Sequence, residues 1–206
     1  MSKTITRLFD DYADASTAVR ELEAAGIPRD DISIVANNAH GEHVVGDQDM
    51  HRDGDVTKGA STGAAIGGVG GLLAGLGLLA IPGLGPIVAA GWLAATAVGA
   101  GIGAAGGAAT GGIVGALKSS GHTDEEANVY SEGVRRGGTL VSARVGDAET
   151  ASAEAILDRN RAVRADTRGA AYRETGWTRF DDSAKVYSPD EIARDRVAYR
   201  TPVTTL

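Results

Sequence analysis

GASTGAAIGGVGGLLAGLGLLAIPGLGPIVAAGWLAATAVGAGIGAAGGAATGGIVGAL, residues 59–117, carries no charged side chain and consists mostly of glycine, alanine and aliphatic residues. Glycine recurs at every fourth position, at Gly59, Gly63, Gly67, Gly71 and Gly75, and again at Gly91, Gly99, Gly103, Gly107, Gly111 and Gly115, with Ala95 in the one gap. That spacing puts the glycines on one helix face, where the missing side chains let a second backbone come close enough for dispersion contacts. It predicts a glycine zipper of two helices, Gly59–Ile81 and Ile87–Leu117, reversed at the uncharged turn Pro82, Gly83, Gly85 and Pro86. As helices the arms measure roughly 34 Å and roughly 46 Å, long enough for a hydrocarbon core of about 30 Å. Lys58 and Lys118 stand at the open ends, a charge placement that keeps both termini in the cytoplasm if the hairpin enters a membrane.

On either side of this run the pattern is that of a small α+β domain. Thr4–Phe9 alternates polar and apolar residues as a half-buried strand does, and Ala15, Ala18, Val19 and Leu22 form the apolar stripe of a following helix that stops at Gly26 and Pro28. Asp31–Ala36 reads as a second strand and Glu42–Val45 as a short third. Beyond the uncharged run, Thr123-Asp124-Glu125-Glu126 is a capping box that opens a helix burying Ala127, Tyr130 and Val134, and Thr139–Val145 is the last strand. A helix over about Glu149–Arg161 follows. With residues 59–117 set aside, the order is βαββαβ, that of a ferredoxin-like fold. The expected organisation is therefore residues 1–58 as the first half of the domain with an acidic linker, 59–117 as an inserted two-helix hairpin, 118–161 as the second half, and 162–206 as an arginine-rich, partly irregular tail. In that tail Ser188-Pro189-Asp190-Glu191 marks the start of a short C-terminal helix. Trp177, Phe180 and Tyr187 precede it in a segment too short for a core of its own, so they are expected to dock on the domain or on a protein partner.

The formal net charge is −7, concentrated in residues 1–58, and there is no basic stripe. Phosphate neutralisation supplies most nucleic-acid affinity, so a nucleic-acid partner is not expected. The absence of cysteine excludes disulfides, thiolate catalysis and cysteine-ligated metals. The polar, acidic segment Met1–Asp11 does not read as a signal peptide.

The strand Ile32–Val35, the turn Ile81-Pro82-Gly83-Leu84-Gly85-Pro86 and the run Glu132-Gly133-Val134-Arg135-Arg136-Gly137-Gly138-Thr139-Leu140-Val141 together resemble the bacterial general stress protein family, with a domain similar to heat-induced stress proteins. The resemblance covers about residues 4–160. It implies a stress-associated protein without enzymatic activity, and it brings no catalytic residues.

Motifs that suggest chemistry do not hold together. Gly101-Ile102-Gly103-Ala104-Ala105-Gly106 matches a dinucleotide fingerprint but follows no predicted strand and has no acidic residue about twenty positions on. Leu117-Lys118-Ser119 lacks the glycine of a phosphate loop. His40, His43 and His51, with Asp47 and Asp49, are candidate ligands for a divalent ion, against the ordinary reading of a solvated loop. No metal or cofactor is otherwise expected. The sequence thus leads to a non-enzymatic protein that self-assembles through its glycine zipper, associated with a lipid bilayer. The alternative is a soluble cytoplasmic oligomer, a regulatory module sensing a small ligand or metal.

Overall fold

The structure, a computed structural model, describes residues 2–39, 77–81, 83–102 and 112–200. Strand β1 (Ser2–Phe9) leads into helix α1 (Tyr12–Ala24) and strand β2 (Ile32–Asn37). Strands β3 (Gly77–Ile81) and β4 (Gly85–Gly91) form a hairpin, followed by helices α2 (Trp92–Ile102), α3 (Gly112–Ser119) and α4 (Asp124–Arg135). Strand β5 (Thr139–Gly146) precedes helices α5 (Thr150–Arg159), α6 (Ala165–Glu174) and α7 (Pro189–Arg200). The five strands make one sheet in the order β1-β5-β2-β4-β3, every neighbour antiparallel.

The α+β class holds, but the strand order differs from the ferredoxin-like expectation. There the third strand would lie between the first two and the last would flank β1. Here β5 lies between β1 and β2, and the β4–β3 hairpin extends the sheet beyond β2. Thr139–Ala143 of β5 are all buried between β1 and β2, and the outer strand β1 begins with the exposed pair Ser2 and Lys3.

The second departure is at Gly77–Gly91, expected to be the facing ends of two helices on either side of the Pro82–Pro86 turn and found as a β-hairpin. A proline disfavours helical backbone in the residue before it, here Ile81 and Gly85. Gly83 and Gly85 both take positive φ, 75° and 80°. The apolar run Ile87–Ala90 fits a strand buried on both faces. Ile87 and Ala89 pack on one side and Val88 and Ala90 on the other. Gly83 therefore lies in a turn between strands, Gly85 and Pro86 open β4, and Pro82 lies outside the described residues. The single helix expected over 87–117 becomes β4, α2 and α3. Gly91, with φ 87°, turns the chain from β4 into α2.

Side chains on one face of the sheet pack with α1 and α5 around Phe9, Leu22, Ile34 and Leu157. The other face packs with α2, α3, α4 and α6 around Leu8, Leu93, Leu117, Val134 and Tyr172. Asn37 ties these layers together at the site end of the sheet. Its buried Nδ2 donates to the Val134 carbonyl at 3.1 Å and to the Leu84 carbonyl at 3.4 Å, joining the end of α4 to the β3–β4 turn. Asn37→Ala orphans these carbonyls and is expected to cost about 1–3 kcal/mol, read as a lower urea midpoint with unchanged slope.

Candidate functional site

Helix α4 carries the Glu132–Gly138 run to the surface, and both its ends are fixed by local sequence. At the start, the Glu126 amide donates to Thr123 Oγ1 at 3.2 Å and the Thr123 amide to Glu126 Oε2 at 2.9 Å. This is the reciprocal pair of a capping box. At the end, the Gly138 amide reaches back to the Gly133 carbonyl (2.9 Å) and that of Gly137, φ 92°, to the Val134 carbonyl (3.0 Å). The two bonds make a Schellman motif.

This termination points Glu132, Arg135 and Arg136 at the C-terminal segment. Glu132 is fully buried. Its Oε1 accepts from Arg136 Nε at 2.7 Å and from Arg135 Nη2 at 3.1 Å. Arg136 Nη1 then donates to Asp195 Oδ2 (3.1 Å) and Tyr199 Oη (3.0 Å), both on α7, and its guanidinium lies 4.5 Å from the Tyr172 ring centroid. Burial opposes charge on Arg136, yet the hydrogen bond and charge of Glu132 outweigh it and hold the guanidinium above its ordinary pKa. Arg168 of α6 donates through Nη2 to both oxygens of Asp10 (2.6 and 2.7 Å) and lies 4.7 Å from the Tyr199 ring centroid. Arg196 Nη2 donates to the Gly137 carbonyl (2.9 Å). Burial raises the Tyr172 pKa against the pull of Arg168 and Arg136, so the phenol stays neutral. A cavity of about 10 Å³, room for one water, remains among Asp10, Arg136, Arg168, Arg196 and Tyr199.

The aromatic residues of the tail join the same surface. Trp177 and Phe180 pack on the apolar cluster beneath, the Phe180 amide donates to Asn128 Oδ1 (3.2 Å), and Tyr187 lies under Arg135, 4.9 Å from guanidinium to ring centroid. Ser188 and Glu191 form the box that starts α7, and Ile192 is fully buried. The stretch after Ala162, expected to be irregular, contains helix α6. Its buried face, Ala165, Arg168, Gly169 and Tyr172, has helical spacing but little aliphatic character. A Cβ on Gly169 would come within 2.9 Å of Val129, so the glycine lets α6 lie close on α4.

A polar cleft of about 250 Å³ opens at the other end of α4, lined by Arg7, Thr123, Glu125, Glu126, Tyr130, Arg164 and Asp166. Tyr130 Oη donates to the Thr6 carbonyl at 2.7 Å, and burial pushes its pKa up to about 12. His122, just ahead of the capping box, is half-buried, its Nε2 2.7 Å from Thr6 Oγ1. Burial lowers its pKa and the neighbouring Glu126 only partly opposes this. The unfolded chain therefore takes up the proton first as pH falls through about 6.5. Stability should drop over that range down to the folded-state pKa. Urea midpoints measured from pH 7.5 to 5.5 are expected to fall more for the wild type than for His122→Asn.

Of the zipper glycines, Gly91 ends a strand, Gly99 lies in α2 and Gly115 in α3. Gly59, Gly63, Gly67, Gly71, Gly75, Gly103, Gly107 and Gly111 lie outside the described residues, as do His40, His43, His51 and the short strand expected at Glu42–Val45. The described residues hold no cluster of metal-ligating side chains. The sequence reading passed over the charge lock itself. The spacing of Glu132 with Arg135 and Arg136 was a legible i,i+3 and i,i+4 signal, whereas Asp10 and Arg168 are 158 positions apart.

Residues 4–81 match the family model of the heat-induced stress protein YflT domain. No curated protein and no solved structure matches the chain. The matched span begins in β1, takes in α1 and β2 and ends with the last residue of β3, and so holds three of the five described strands. The similarity to the heat-induced stress protein YflT domain thus covers residues 4–81, fewer than half of the chain's 206 residues.

Proposed function

We propose that the protein is a non-enzymatic, stress-associated assembly factor that self-associates through its uncharged segment, residues 59–117. The observation that carries this reading is the edge of the sheet. β3, Gly-Leu-Leu-Ala-Ile, pairs with β4 on one side and with no other described strand. The opposite edge is closed at Leu8, whose amide and carbonyl both bond Val163 (3.1 and 2.7 Å). An uncharged apolar edge is a template for a strand of another chain, and the glycine spacing of residues 59–75 and 99–115 supplies a second means of close approach. The charge lock under the tail joins acids, guanidiniums and phenols in ion pairs and ring contacts, an arrangement suited to docking.

Membrane association is the companion reading, supported by the absence of charge between Gly59 and Leu117. No described helix is long and apolar enough to cross a membrane. The turn that a spanning hairpin would carry through the bilayer has Gly83 against the backbone of Asp182. These observations favour assembly over spanning. The full chain is expected to have a native mass that is a multiple of 20.9 kDa, falling towards the monomer in Leu78→Lys/Ala80→Lys with the circular dichroism spectrum kept. A monomer at every concentration overturns self-assembly. Flotation with liposomes that survives a high-salt wash supports the membrane arm, and recovery in the unbound fraction overturns it.

A further inference from the structure

The C-terminal segment lies in a seat whose shape is built into the domain. A Cβ on Gly83 would stand 2.6 Å from Asp182 Cα, one on Gly85 2.5 Å from Val186 Cγ1, and one on Gly137 would overlap Ile192 Cγ2. Three glycines thus leave three notches, and Asp182, Val186 and Ile192 fill them in order. The polar groups fit less well. Six buried side-chain polar atoms lack a hydrogen-bond partner among the described residues, and five belong to this interface: Glu132 Oε2, Arg135 Nε and Nη1, Trp177 Nε1 and Arg196 Nε. Buried polar groups are ordinarily paired. These exceptions set a polar cost against the ion pairs and apolar notches that hold the segment in its seat.

We propose that the seat also works between molecules, and that its occupant is the same segment, residues 182–199, of a second copy. The occupant follows from the fit, because the segment supplies Val186 and Ile192 for the notches, Tyr187 for Arg135, and Asp195 with Tyr199 for Arg136. Exchange makes and breaks identical contacts, so the balance is set by reach and local concentration. The connector from Thr175 to Asp181 is not helical. Seven extended residues span up to about 25 Å. In an isolated chain the tether keeps the segment at home. Assembly through residues 59–117 raises the concentration of neighbouring seats to a comparable level, and in this respect the inference rests on the self-assembly reading.

The chain has no cysteine. A Cβ on Gly85 would lie 3.7 Å from Val186 Cβ, a separation that a disulfide bridges. Full-length Gly85→Cys and Val186→Cys chains are mixed, equilibrated and oxidised, and intact masses are read without reductant. The expected result is a covalent heterodimer several-fold above the yield with Arg20→Cys, an exposed cysteine on α1 across the sheet, in place of Gly85→Cys. The double variant, diluted, should close within one chain. The pair Gly137→Cys and Ile192→Cys, with Cβ atoms 3.4 Å apart, is run alongside so that one badly tolerated substitution does not decide the result. Closure within the chain for either pair, with heterodimer no higher than the control, overturns the inference. The native mass of the unmodified chain is measured separately. An oligomer without exchange overturns this inference and leaves self-assembly standing, whereas a monomer overturns self-assembly itself.

Discussion

Glu132→Ala is expected to cost about 3–5 kcal/mol, because removing one partner of a buried ion pair leaves the other charge uncompensated. Two guanidiniums depend on that carboxylate, and Arg136 in turn holds Asp195 and Tyr199. Domains of this size are stable by about 5–15 kcal/mol in all, so the loss is a large share. It should appear as a lower urea midpoint by far-ultraviolet circular dichroism. Release of the tail should appear separately, as a change in the emission of Trp177, whose indole packs edge-on against Tyr172 at 5.6 Å between centroids. Glu132→Gln keeps an acceptor for Arg136 and should lie between Glu132→Ala and the wild type. A variant as stable as the wild type, with unchanged Trp177 emission, would mean that Asp195 and the aromatic neighbours hold the two arginines without Glu132.

Gly91→Val is the second substitution with a large expected effect, on the order of 4 kcal/mol or more, in the range of severe core lesions. Two causes add. The backbone at Gly91 has φ 87°. A side chain in that left-handed region costs about 1–2 kcal/mol. A Cβ there would also overlap the Ile32 carbonyl oxygen and stand 2.8 Å from Ser33 Cα, where β4 pairs with β2. Gly26 separates these causes, since its φ is +90° with nothing within 4 Å of a Cβ. Gly26→Ala should therefore show the backbone cost alone, and Gly91→Ala clearly more, by thermal or urea melting. Equal losses at the two sites would remove the close approach to Ile32 from the explanation.

Gly91 also shows where sequence reading reached its limit. In the four-residue glycine spacing it counts as a helix-packing residue, while the structure uses its positive φ to leave a strand. The run Gly77–Gly91 is apolar throughout, and periodicity cannot separate a strand buried on both faces from a buried helix. The free edge of β2, distant in sequence, decides the matter. Local signals were read correctly where they stand close together in the chain: the stripe of α1, the Thr123–Glu126 box, the Gly137-Gly138 stop before β5, and Ser188–Glu191 ahead of α7. Helix α6 escaped because its buried stripe contains an arginine and a glycine. At the site, the acid and its two arginines were visible in order, but the pairings of Asp10 with Arg168, and of Arg136 with Asp195, are products of the fold.

The bond pair between Leu8 and Val163 has a consequence for how far any assembly can grow. With β1 bonded there, β3 is the outer described strand whose edge carries no such bridge. Two β3 edges laid antiparallel about a twofold axis would satisfy each other and leave neither for a third chain, so pairing through β3 alone would end at a dimer. Growth beyond a dimer would require a different kind of contact.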